Sequence, residues 1–196
     1  FNGYVPLWRN FFSADMPNLH TVRKGLDLPL LGAPTAIVDG RLRSSVYAVL
    51  PSDFRGLVPK LVVKEGDRVL AGSILFHDKA DDRIKIASPV SGEVARIERG
   101  DKRKILSVVI LADAETEYSS QPSGMPANRE DAIHWLCESG AWPLIESRPY
   151  GRIASPDAKP KAVFINAMAT EPLAVSPALA LAGREQDFAK GLLIRK

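Results

Sequence analysis

The sequence predicts an α+β protein: a small β-sandwich followed by an α/β region. Three observations carry that reading. Residues Leu61–Ala112 break into short Val/Ile/Leu runs separated by Gly, Pro and Asp, the pattern of strands and turns. A polar stretch rich in Ser, Pro and Glu follows at Asp113–Ala127. Beyond it, helix, strand and helix signals alternate, which favours layered α/β structure.

Composition sets the outer limits. The 196 residues are 45% hydrophobic and 25% charged, ordinary values for a folded chain. The formal net charge is only +3, and no long basic run provides a nucleic-acid footprint. One cysteine, Cys137, permits no internal disulfide and no cysteine-built metal centre, which fits a reducing compartment. Apolar runs such as Val108–Ala112 and Leu173–Ala182 are too short to span a bilayer or are broken by Pro177.

Residues 1–20 read as an N-terminal arm. Phe1, Tyr4, Trp8, Phe11 and Phe12 supply five of the fourteen aromatics, without the basic and apolar blocks of a signal peptide. Residues 21–112 form the β domain. Within it, Val63-Lys64-Glu65-Gly66-Asp67 recurs 34 positions on as Ile97-Glu98-Arg99-Gly100-Asp101. Each Gly is expected at a positive-φ turn position, with the Asp bonding the turn backbone. Each copy leads to an apolar strand, Ile74–Phe76 or Val108–Leu111, so two similar halves are expected. Val94, Arg96 and Glu98 alternate with Ala95 and Ile97 as in a half-buried strand.

Residues 113–127 read as a linker and 128–196 as the start of an α/β domain, truncated. Asn128 is expected to cap a helix with Glu130 and Asp131 in its first turn, Ile133, Leu136 and Cys137 on its apolar face, and Gly140 at its end. Lys161–Ala167 (KAVFINA) is a buried-strand candidate. Ser176-Pro177 starts a helix, Gly183 punctuates it, and Arg184 onward continues as another. Phe1 at the start and the helical pattern at Lys196 read as the edges of a piece of a longer protein.

The segment KEGDRVLAGSIL followed by ASPVSGEVARI resembles the barrel-sandwich hybrid of biotinyl and lipoyl domains. Gly66, Asp67, Val69, Gly72 and Leu75 match its turn and strand, and Pro89, Gly92 and Val94 the strand after the hairpin tip. The carrier lysine of those domains falls at Asp81, with Lys79 and Lys85 out of register. A carboxylate cannot accept biotin or lipoate through an amide, so the shape is expected without the carrier chemistry.

Together with VRKGLDLPLLGAP at Val22–Pro34 and the stretch Glu138–Pro172, these motifs resemble, in collinear order, the NqrA family of the bacterial sodium-translocating NADH:quinone oxidoreductase, the Nqr complex. The resemblance implies a hydrophilic accessory component on the cytoplasmic side of the inner membrane. It implies membrane-embedded subunits of the complex as partners, a part in quinone binding or reduction, and no independent catalysis. NAD(H), flavins and Fe–S centres belong, on this reading, to other subunits. The family is also similar to the flavoprotein subunit of complex I, whose acidic motif survives here in part as Asn166-Ala167-Met168-Ala169-Thr170-Glu171-Pro172. The glycine-rich FMN loop of that flavoprotein corresponds to Glu138–Pro143, with a single Gly and a bulky Trp142, so no cofactor is expected to bind here.

Quinone-binding candidates are Trp142, Arg148, Tyr150, Asn166, Met168, Thr170 and Glu171. They combine apolar surface with donors for a quinone oxygen. The sandwich is expected to meet neighbouring subunits through its sheet faces and its Asp78–Asp82 tip. No catalytic or metal residues are expected. His20, His77 and His134 are isolated in sequence, and Asp78, Asp81 and Asp82 read as solvated. An unmodified biotinyl/lipoyl-like binding or adaptor module is the alternative. A periplasmic pump adaptor would need a signal anchor and long heptads, which this sequence does not show.

Overall fold

A computed structural model describes residues 37, 40, 43–120, 124, 126–166 and 174–193. The aromatic arm, the Val22–Pro34 motif and the candidates Met168, Thr170 and Glu171 lie outside these residues.

Among the described residues, seven strands make the N-terminal unit: β1 (Val46–Val49), β2 (Pro59–Leu61), β3 (Arg68–Val69), β4 (Ile74–Asp78), β5 (Lys85–Ala87), β6 (Gly92–Arg99) and β7 (Ile105–Ala112). They form a four-stranded sheet, β1-β7-β6-β3, and a three-stranded sheet, β2-β4-β5, with every strand pair antiparallel. The inner residues are Val69, Leu75, Phe76, Ile86, Val90, Val94, Val108 and Ile110. Phe54 adds an edge-to-face contact with Phe76, ring centroids 6.4 Å apart.

The first copy of the repeat folds as expected. Gly66 has φ +87°, and Asp67 accepts a hydrogen bond from the Lys64 amide at 2.7 Å. The second copy departs. Gly100 is extended at φ −98°, and the positive-φ positions fall on Lys102 and Arg103 instead. The difference follows from where each turn sits: the first crosses between strands, with Gly66 donating to the Val94 carbonyl, while the second closes the β6–β7 hairpin. The expected alternation in β6 is also reset. A bulge at Ala95 puts both Val94 and Ile97 toward the core.

The polar segment after β7 is stitched to the sandwich through residue 119. Ala71 donates to the Glu117 carbonyl, and Ser119 donates back to Ala71, each at 2.9 Å. The buried Ser91 hydroxyl donates to the Glu115 carbonyl and accepts from the Glu117 amide.

Helix α1 (Arg129–Glu138) begins as expected, with the Asn128 carboxamide accepting from the Asp131 amide at 2.8 Å. Gly140 ends it at φ +73°. A 3-10 turn (Trp142–Leu144) and a hairpin of β8 (Glu146–Ser147) and β9 (Arg152–Ile153) follow. Lys161–Asn166 is exposed and is assigned to no strand, unlike the buried strand expected there. Among the described residues no strand lies alongside to pair with it. Helices α2 (Pro177–Leu181) and α3 (Glu185–Leu193) close the described chain. Pro177 opens α2, but Ser176 makes no side-chain cap.

Candidate functional site

The β4–β5 connection is where the two regions meet. In a carrier domain this tip holds the modified lysine in solvent; here the position is Asp81, and the tip is drawn against the second region. Ile84, at the foot of β5, is buried with Cys137 and Trp142, and Leu57, Ile133, Leu136, Ile145 and Ile153 pack around them. This second, smaller core mixes residues from both regions.

Polar contacts surround it. The Arg83 guanidinium donates to both oxygens of Asp81, at 2.9 and 2.7 Å, and to both oxygens of Asp157, at 2.9 and 2.6 Å. Those hydrogen bonds hold both carboxyls below the ordinary aspartate range. Lys85 pairs with Glu138 at the end of α1 at 2.6 Å and lowers that carboxyl in the same way. Gly140 lets the helix end approach β5: a Cβ there would stand 2.9 Å from the Ala87 Cβ.

This corrects the expectation that Asp78 and Asp81 are solvated. Asp78 is buried, its Oδ1 accepting from the Val58 amide at 3.0 Å, and Asp81 is committed to Arg83. Only Lys79, Ala80 and Asp82 remain outward for a neighbouring protein. Among the described residues no group of His, Cys, Asp and Glu has the arrangement of a metal site. Cys137 is buried, and burial raises its thiol pKa, so it behaves as a core residue.

The structure separates the quinone-binding candidates. Trp142 is 7% exposed, and its indole N–H donates to the Ala154 carbonyl at 2.7 Å. It is a core side chain, not the wall of a slot. Arg148 and Tyr150 lie in the β8–β9 turn, with Tyr150 71% exposed. Asn166 is exposed at the end of the Lys161–Asn166 segment, beyond Phe164, which is 86% exposed. Two clefts lie elsewhere. One of about 250 Å³ is lined by Arg43, Tyr47, Asp113 and Thr116, and one of about 510 Å³ between α1 and α3 by Trp135, Leu136 and Lys190.

In the stretch from Ser139 to Ile145 five backbone amides are engaged internally. Ser139 donates to Trp135, Gly140 to Cys137, Ala141 to Leu136, Leu144 to Ala141 and Ile145 to Trp142. Sequence reasoning missed the Arg83–Asp157 contact, which joins residues 74 positions apart. Its only sequence signal was the replacement of the carrier lysine by an acid beside an Arg.

Similarity to known proteins follows the same two-part division. Residues 20–113 match the NqrA N-terminal barrel-sandwich hybrid domain, and residues 127–195 the NqrA second alpha/beta domain. The chain is 41% identical over 179 residues to a protein of Alcanivorax borkumensis named as the NqrA component of Na(+)-translocating NADH-quinone reductase. It is 39% identical over 178 residues to the protein of the same name from Neisseria meningitidis serogroup A, and 36% over 179 residues to that from Hahella chejuensis. Each match covers 88% of this chain and 40% of the relative, so the chain spans well under half the length of the curated relatives it matches. No helix among the described residues is long and apolar enough to cross a membrane. With a barrel-sandwich unit, an α/β unit behind it and both family domains in order, the chain belongs to the NqrA family.

Proposed function

We propose that this chain serves as the N-terminal part of the NqrA component in a sodium-translocating NADH:quinone reductase, peripheral and on the cytoplasmic side, with no catalysis of its own. The observation that carries this reading is the β4–β5 tip. A carrier domain needs that tip free and bearing lysine; here Asp81 occupies the position and Arg83 ties it to Asp157. A sandwich fastened in this way suits a docking scaffold better than a swinging carrier. The internal use of the Ser139, Gly140, Ala141, Leu144 and Ile145 amides supports the further reading that this part of NqrA holds no FMN.

Quinone contact, on this proposal, falls to the turn carrying Arg148 and Tyr150 and to Asn166 with Met168, Thr170 and Glu171. Trp142 is withdrawn from that set because its ring is buried. A guanidinium or phenol donor favours the charge that develops on a quinone oxygen during reduction. Photo-crosslinking a quinone analogue to the whole complex, followed by peptide mapping, tests this. Labels between residues 148 and 171 are expected. Labels confined to other subunits, or to parts of NqrA beyond residue 196, would overturn the residue assignment.

A further inference from the structure

The β6–β7 hairpin ends in a strongly basic tip. Residues 99–104 (Arg-Gly-Asp-Lys-Arg-Lys) hold four cations and one carboxylate, a surplus equal to the formal net charge of the whole chain. The tip overhangs its sheet. β1 pairs with β7 only as far as Val108, and β3 with β6 only as far as Glu93, so the hairpin runs on as a two-stranded ribbon. Residues 101–104 are all exposed. Lys102 and Arg103 sit at φ +54° and +61°, a left-handed region unfavourable to side-chain-bearing residues.

Local acids do not neutralise the tip. Glu98 is taken by Arg96 at 2.8 Å and by the Ser107 hydroxyl at 2.8 Å. Lys102, Arg103 and Lys104 make no ion pair among the described residues. Leu106 lies beside them, half exposed and packed over Gly100.

We propose that this tip rests on the anionic headgroups of a lipid bilayer, with Arg99, Lys102, Arg103 and Lys104 toward the phosphates and Leu106 toward the acyl boundary. Cations beside a single apolar side chain suit an interface that is diffusely charged and needs no shaped groove. The choice of a bilayer over an acidic protein surface rests on the peripheral reading proposed above, and the attraction acts only within about a Debye length of the lipid.

Co-sedimentation of the full chain with phosphatidylcholine vesicles, with and without phosphatidylglycerol, tests the proposal. Binding is expected only with phosphatidylglycerol and is expected to weaken as salt rises. K102A/R103A/K104A is expected to lower partitioning on the order of 100-fold, from roughly a factor of five per cation. K102R/R103K/K104R, which keeps the charge, is expected to bind as the parent does. Equal partitioning of the parent and the alanine variant, or no binding by the parent, overturns it. So does a tip variant that loses an acidic protein partner in detergent while its vesicle binding is unchanged. Vesicle binding without co-purification with Nqr proteins would sink the NqrA-component reading and leave this proposal standing.

Discussion

Arg83, in the β4–β5 connection, grips Asp157 of the second region with two hydrogen bonds of 2.9 and 2.6 Å while holding Asp81 with two more. One planar guanidinium thus fixes the former carrier tip and an element 74 residues away. The groups are exposed, so the pair is expected to set the approach of the two regions more than the stability of either.

Arg83→Gln is expected to return the carboxyls of Asp81 and Asp157 to ordinary aspartate behaviour. In the parent both titrate below the usual value of 3.8. Folded values that are lowered mean that the clamp contributes fully above that pH and is lost as pH falls through the lower folded values. Carboxyl-carbon NMR titration checks this. A parent in which Asp157 titrates at the ordinary value would rule out the clamp.

Gly92→Ala is expected to be the most damaging small substitution in the sandwich. A Cβ there would lie 1.9 Å from the Leu111 carbonyl oxygen, a backbone atom that cannot swing aside. The glycine of the carrier-like motif is therefore required by close approach of β6 and β7. Destabilisation of about 4 kcal/mol or more is expected by urea unfolding, at the upper end of single-site effects. A loss under about 0.5 kcal/mol, within the range of ordinary surface changes, would show that the ladder can shift.

Trp142 separates packing from hydrogen bonding. Trp142→Phe keeps most of the ring and strands the Ala154 carbonyl, at a cost of about 1–3 kcal/mol. Trp142→Ala also opens a cavity beside Ile84 and Cys137, and about 3–5 kcal/mol is expected. Chemical denaturation followed by near-UV circular dichroism reads both. Unchanged stability with altered quinone labelling would restore Trp142 as a binding residue.

Some of this was legible in the sequence because it is local. The Asn128 cap, the Gly140 stop and the Gly66 turn each depend on residues within a few positions. Other features depend on distant partners. Trp142 reads as an aromatic available to a ligand until Ala154 accepts its N–H. Ser91 is one of many serines until its hydroxyl is seen fastening residues 115 and 117. The Gly100 turn differs from its Gly66 counterpart because hairpin closure placed the left-handed residues two positions later. Lys161–Asn166 has the composition of a buried strand, but a buried strand requires a partner strand, and no described strand pairs with it.

Asp81→Lys restores the carrier residue without its setting. With Ala80 and Asp82 as flanks, and Arg83 and Asp157 at the tip, co-expression with a biotin ligase is expected to leave the intact mass unmodified. A biotin adduct on this variant would show that the tip is freer than the Arg83 contacts allow.

The central claim is membership of a membrane-bound redox complex as its NqrA component. Blue-native electrophoresis of source membranes, probed with antibody to this chain and stained for NADH dehydrogenase activity, tests it most directly. The chain is expected to comigrate with an NADH:quinone reductase band whose activity depends on sodium. Recovery of the chain only in the soluble fraction, with that band intact and lacking it, would contradict the claim.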